Sequence, residues 1–237
     1  MRFKYILFDL DGTLLPMDKK RFLDGYLNAL AARMSPYLPP GEFIDHLLAS
    51  TRAMVVNSDP GRTNREVFIE DFFARTGLPE DEILPVFDRF YREDFPDLAP
   101  LTRPTALAPK VLRRVLESGA DIVIATNPVF PRAAVEERLR WAVGTGFPFR
   151  LVTTYEIMHF CKPNPMYYEE IAAYLGAPPE RCLMLGNDVE EDLVAAETGM
   201  STYLVEDQAI HRGIRPCNPD YRGSLEDCYR FLAGLTT

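Results

Sequence analysis

Tyr5-Ile6-Leu7-Phe8-Asp9-Leu10-Asp11-Gly12-Thr13 is the stretch whose reading decides the rest of the chain. An uninterrupted apolar run closed by turn chemistry describes a strand buried on both faces, the kind found chiefly in parallel sheets. Asp9 and Asp11 then stand at its carboxyl end, where open α/β sheets bind ligands. Residues two apart on a strand share a face, so the two carboxylates can look into one site. Acidic groups that close oppose each other's ionisation unless a cation or a shared proton relieves them. The pair therefore asks for a metal, a catalytic role or both; the bland alternative is a strand end with solvated aspartates.

Downstream of this strand the periodicity is helical. Phe22, Leu23, Tyr26, Leu27, Leu30 and Met34 recur at spacings of three and four, with Asp18 as cap and Pro36 as stop. A second helix carries Phe43 to Val55. A polar link, residues 57–64, leads to a third helix opened by a Thr63/Glu66 capping box and closed by Gly77. A fourth helix begins near Pro79, with Pro85 expected to kink or delay it. Prolines 96, 100 and 104 mark the way back. From there strand and helix alternate: a helix over 106–118, strands over 121–126, 149–153, 181–185 and 202–205, and helices over 131–141, 165–175, 190–198 and 225–232. This pattern predicts an α/β fold with a parallel, Rossmann-like sheet between helices and an inserted all-α unit. The division expected is a core of residues 1–16 and 101–237 and a helical cap of residues 17–100.

The 237 residues suffice for one core with a large insertion, and a hydrophobic fraction of 47% is ordinary for a globular chain. A net charge of −9 argues against nucleic-acid and anionic-membrane partners, which need basic patches. Cys161, Cys182, Cys217 and Cys228 show no CxxC spacing, and with His46, His159 and His211 they suggest neither a zinc centre nor a disulfide framework. Neither a leader-like start nor a bilayer-length apolar run is visible, so the expectation is a soluble cytoplasmic protein, monomer or homodimer.

Three later stretches fall where strands end. Thr126-Asn127 offers a hydroxyl and backbone N–H groups at a turn, suited to phosphate oxygens or simply to closing the turn. Lys162, in Phe160-Cys161-Lys162-Pro163-Asn164-Pro165 just before a helix start, is a point charge suited to a phosphoryl group or to neutralising carboxylates. Gly186-Asn187-Asp188-Val189-Glu190-Glu191-Asp192 crowds acidic groups at a strand end. Asp188 can cap the next helix, and one helical turn sets Asp188 and Asp192 on the same side. Such an excess of carboxylate suits a hard cation such as Mg²⁺, which takes oxygen ligands.

In this order the stretches, Asp-x-Asp-Gly-Thr, Thr-Asn, Lys-Pro and Gly-Asn-Asp with a further Asp, resemble the haloacid dehalogenase-like hydrolase superfamily over essentially the whole chain. The helical insertion after the first strand is similar to that superfamily's helical cap. The resemblance implies Asp9 as nucleophile forming an aspartyl-phosphate, Asp11 as general acid and base, Thr126 and Asn127 as phosphate holders, and Lys162 as the balancing cation. It implies Mg²⁺ held by the Asp9 side chain, the Asp11 carbonyl and Asp188, with Asp192 in direct contact or just behind. Many relatives have Gly-Asp where this chain has Gly186-Asn187-Asp188, so the choice among Asn187, Asp188 and Asp192 stays open. Asp11 separates the chain from the dehalogenase branch. The expected activity is Mg²⁺-dependent hydrolysis of a small phosphorylated metabolite; the alternatives are a sugar-phosphate mutase and a noncatalytic phosphate-binding module. Specificity is expected from the cap, with Asn57, Arg62 and Asn64 in the polar link, beside Arg65, as candidate substrate contacts and Arg132 as another anion contact.

Overall fold

A computed structural model describes residues 2–234. Six parallel strands run in the order β3-β2-β1-β4-β5-β6: β1 (Tyr5–Phe8), β2 (Asp121–Ile124), β3 (Phe149–Val152), β4 (Cys182–Gly186), β5 (Ser201–Val205) and β6 (Tyr221–Gly223). The first strand sits in the middle, fully buried, with successors added outward on both sides. The crevice where the order reverses therefore opens beside β1, the place where doubly wound sheets bind ligands.

After β1 the chain forms four helices before it returns toward the sheet: α1 (Lys19–Met34), α2 (Pro40–Val55), α3 (Asn64–Thr76) and α4 (Glu80–Glu93). Their starts follow from local chemistry. The Asp18 side chain accepts from the Arg21 N–H, and Thr63 and Glu66 form the reciprocal capping box, while Gly77 closes α3 at φ 65°. α4 runs straight through Pro85 and starts at Glu80, so the proline does not delay it. The inner faces carry an aromatic cluster: Phe43, Phe72, Phe87 and Phe90 are buried, Phe90 meets Tyr26 and Phe95 edge-on, and this packing is continuous with Phe8 and the sheet. Each such ring contributes about 1.5–3 kcal/mol by leaving water.

The sheet is flanked by α5 (Ala108–Glu117), α6 (Arg132–Val143), α7 (Pro165–Leu175) and α8 (Leu225–Ala233). Two features depart from the expected pattern. Residues 190–198 do not form an α-helix; only Leu193–Thr198 winds, as a 3₁₀ turn, because the Asp188 and Asp192 side chains capture backbone N–H groups ahead of it. And β6, Tyr221-Arg222-Gly223, extends the sheet where no apolar run announces a strand. Among the described residues no helix is long and apolar enough to cross a membrane.

Candidate active site

Strand register assembles the site. Phe8 lies beside Ile124 on one flank and Leu185 on the other, so the chain leaves the sheet at the same level in β1, β2 and β4. The exits are Asp9 to Asp11, Thr126-Asn127 and Asn187-Asp188, and two further ladder bonds tie them: Asp9 N–H to the Leu185 carbonyl (2.9 Å) and Ala125 N–H to the Phe8 carbonyl (2.8 Å). The turn after Asp11 needs Gly12. Its φ is +96°, and a Cβ there would stand 2.5 Å from the Asn187 amide nitrogen, so any larger residue would separate the two loops.

At the centre is Lys162, fully buried. Its Nζ donates to Asp9 Oδ1 at 2.9 Å and to Asp192 Oδ1 at 2.6 Å. Burial works against the ammonium, but the Asp192 and Asp9 charges outweigh it and hold its pKa well above the ordinary lysine value. Burial likewise pushes the Asp192 carboxyl above its usual range, with Lys162 opposing. The other Asp192 oxygen accepts from the Asp188 N–H (2.9 Å), so Asp192 braces both the lysine and the fourth strand's exit. Asn127 braces the same lysine from its other side: its Oδ1 accepts from the Lys162 N–H at 3.2 Å. The Lys162–Pro163 peptide is cis. Thr126 gives its backbone carbonyl to the Thr153 hydroxyl (2.7 Å) and the Tyr167 hydroxyl (2.8 Å), which fixes the turn from beneath.

Two arginines that the sequence did not single out meet the remaining carboxylates. Arg138, on α6 and 1% exposed, pairs with Asp11 Oδ2 while its guanidinium lies 4.4 Å from the Phe130 ring centroid. Burial, foremost, raises the Asp11 pKa; the Arg138 charge opposes the shift and Asp9 adds to it. Arg138 sits on the buried stripe Ala134, Val135, Arg138, Leu139, Ala142, and an arginine in an apolar stripe is the signal by which it could have been found. Arg212, in the loop between β5 and β6, grips Asp188 with both nitrogens at 2.7 Å, and Asp188 Oδ1 also accepts from Glu190 and Glu191 N–H. The Asp188 carboxylate is thereby turned toward that loop. Asn187 instead faces Asp9's neighbourhood: the Thr13 hydroxyl donates to its Oδ1 (3.2 Å) and lies 3.4 Å from Asp9 Oδ2.

A cavity of about 170 Å³ opens beside these groups, lined by Asp9, Asp11, Thr126, Asn127 and Glu191 on one side and Met17, Lys19, Phe22, Leu23, Val129 and Phe130 on the other. Burial raises the Glu191 carboxyl to about 7. A larger groove of about 880 Å³ between α4, α6 and β3 contains none of the strand-end residues and is remote from their chemistry. Asn57, Arg62 and Asn64 line neither space except through their neighbour Arg65 in the groove. Asn57 donates to the Asp59 and His159 carbonyls, buried Asn64 to those of Pro128 and Phe160, and Arg62 pairs with Glu70. Arg132 pairs with Glu136 and accepts no role in the cavity.

The chain is similar to known proteins. The model of the haloacid dehalogenase-like hydrolases matches residues 3–199. The chain is 31% identical to a phosphoglycolate phosphatase of Caulobacter vibrioides, over 84% of this chain and 78% of the relative. It is 27% identical to an N-acetylmuramic acid 6-phosphate phosphatase of Pseudomonas aeruginosa, over 92% and 88%. A solved phosphatase from Thermococcus onnurineus superposes with a TM-score of 0.59 at 19% identity, covering 98% of both chains, and so shares the fold.

Proposed function

The chain belongs to the haloacid dehalogenase-like hydrolase family and is a phosphoric monoester hydrolase, and from that premise we propose that it hydrolyses a small phosphorylated metabolite in a Mg²⁺-dependent reaction through an aspartyl-phosphate on Asp9. The observation that carries the reading is the Asp192–Lys162–Asp9 chain of charge. It fixes one Asp9 oxygen on a buried cation, while Oδ2 accepts from the Thr13 hydroxyl at 3.4 Å and the residue lines the cavity.

In this reading Asp9 Oδ2 attacks phosphorus while Lys162 and the Asn127 N–H face the charge of the transferring group, with the Thr126 hydroxyl on a second phosphoryl oxygen. Asp11, protonated, gives its proton to the departing alkoxide; as a carboxylate it then takes one from the water that attacks the aspartyl-phosphate, releasing phosphate and restoring Asp9. The raised Asp11 pKa favours the protonated form that the first step needs.

The donor chemistry suits a hard cation. Asp9, Asp188, Glu190, Glu191 and Asp192 gather around the buried Lys162 and the Arg212 clamp, an excess of carboxylate. Among the described residues no three His, Cys, Asp or Glu side chains converge on one metal position, so backbone, amide, water and substrate oxygens would complete the shell, as Mg²⁺ commonly accepts. Asp9, the Asp11 carbonyl and the Asn187 amide oxygen are the ligands favoured here; Asp188 joins only if Arg212 lets go. When bound, the ion neutralises phosphoryl oxygens during transfer. We place the catalytic core in residues 1–16 and 101–237 and a covering cap in residues 17–100, with Asn57 and Asn64 fastening that cap to the segments around Pro128 and Phe160 rather than touching substrate. The test is phosphate release from a panel of phosphomonoesters with Mg²⁺ and with chelator: chelator-sensitive release supports the reading, and none with any ester would overturn it.

A further inference from the structure

The cavity beside Asp9 and Asp11 is small. At about 170 Å³ it has room for roughly six waters at ~30 Å³ each and falls below the ~300 Å³ at which pockets for drug-sized ligands begin. Its outer wall comes from one face of α1, where Lys19, Phe22 and Leu23 stand at i, i+3 and i+4, together with Val129 and Phe130. That wall is apolar except for one group. Among the described residues Lys162, Arg138 and Arg212 each answer a carboxylate, whereas Lys19, which lines the cavity, has no carboxylate within ion-pair distance. Its neighbour Lys20 does, pairing with Asp24. Lys19 is nevertheless close enough to Asp11 for its charge to favour the ionised carboxyl there.

A phosphoryl group placed on Asp9 would be held by Thr126, Asn127 and Lys162, and these leave Lys19 to the other end of the molecule. Resting on the phosphatase reading, we propose that Lys19 is a specificity-determining residue that receives a second anionic group, so that the preferred substrates are short phosphomonoesters whose few-atom leaving group ends in a carboxylate. Phe22, Leu23 and Phe130 line the space beside the intervening carbons. Lys19 is exposed, so its ion pair is partly screened, and its effect is read as a ratio between substrates whose tails carry opposite charge.

The test compares kcat/KM for 2-phosphoglycolate with that for phosphoethanolamine, whose tail is similar in size and opposite in charge. The wild-type ratio should favour phosphoglycolate. Lys19→Met, which keeps the apolar stem, should lower the ratio roughly tenfold, the scale of one lost charged hydrogen bond; Lys19→Glu should lower it further, toward or past unity, and Lys19→Arg should restore it. Lys19 is exposed, so these variants fold, and the ratio cancels any general loss of active protein. Hydrolysis of both esters at a ratio that the three variants leave unchanged would overturn the assignment of Lys19 alone. Failure of the wild type to release phosphate from either ester, with Mg²⁺ present, would overturn the phosphatase reading and this assignment with it.

Discussion

The strand-end site and the helical insert bury very different groups for their size. At the exits of β1, β2 and β4 the contacts are ionic: buried Lys162 between Asp9 and Asp192, buried Arg138 on Asp11, and exposed Arg212 on buried Asp188. In the insert they are aromatic, with Phe43, Phe72, Phe87 and Phe90 packed ring against ring. Buried ion pairs contribute little net stability because desolvation offsets their attraction, whereas buried rings contribute directly. The contrast separates what holds the fold from what positions the chemistry, and substitutions in the two regions should fail in different ways.

The largest expected effect is on rate. Asp9→Asn keeps the shape of the side chain but removes the nucleophile, and should cut kcat by something on the order of 10⁶-fold, while Lys162 keeps Asp192 as its charged partner. Asp11→Asn should lower kcat by about 10²–10⁴-fold, the usual range for a general acid and base, measured with an ester of a poor leaving group. Retention of a near-wild-type kcat by either folded variant would break the contrast. On the other side, Phe90→Ala should cost about 3–5 kcal/mol in denaturant unfolding, while kcat of the folded fraction stays near that of the wild type. Smallest, Thr63→Ala should cost about 1 kcal/mol by removing the cap of α3. The partner in that capping box, Glu66, has its pKa lowered chiefly by the Thr63 N–H. Its contribution is therefore present above the ordinary value of 4.5 and disappears as pH falls through the lower folded value, so acid unfolding should be steeper in the wild type than in Glu66→Gln.

The two regions also differ in how legible they were. Four central strands could be read because they are apolar on both faces, and the edge strand β3 from Phe149, Leu151 and Val152; β6, the other edge, could not, since Tyr221-Arg222-Gly223 is short and carries a charge and a glycine. The helices of the insert could be read from caps and periodicity. The turn after β4 misled, because its acidic side chains compete with the helix for N–H groups. In the site, the strand ends gave Asp9, Asp11, Thr126, Asn127 and Lys162 their places, but Arg138 and Arg212 are joined to Asp11 and Asp188 across long stretches of chain, and no local spacing encodes such a pairing. In the polar link, expected to contact substrate, Arg62 pairs with Glu70 and the two asparagines donate to carbonyls.

The central claim is that Asp9 carries the phosphoryl group. It is tested most directly by quenching the protein in acid during turnover of a phosphomonoester, reducing with borohydride and sequencing the peptides by mass spectrometry, since an aspartyl-phosphate is reduced to homoserine. Homoserine at Asp9, dependent on substrate and Mg²⁺ and absent from Asp9→Asn, is the expected result. Sustained phosphate release with homoserine at another aspartate, or at none, would contradict it.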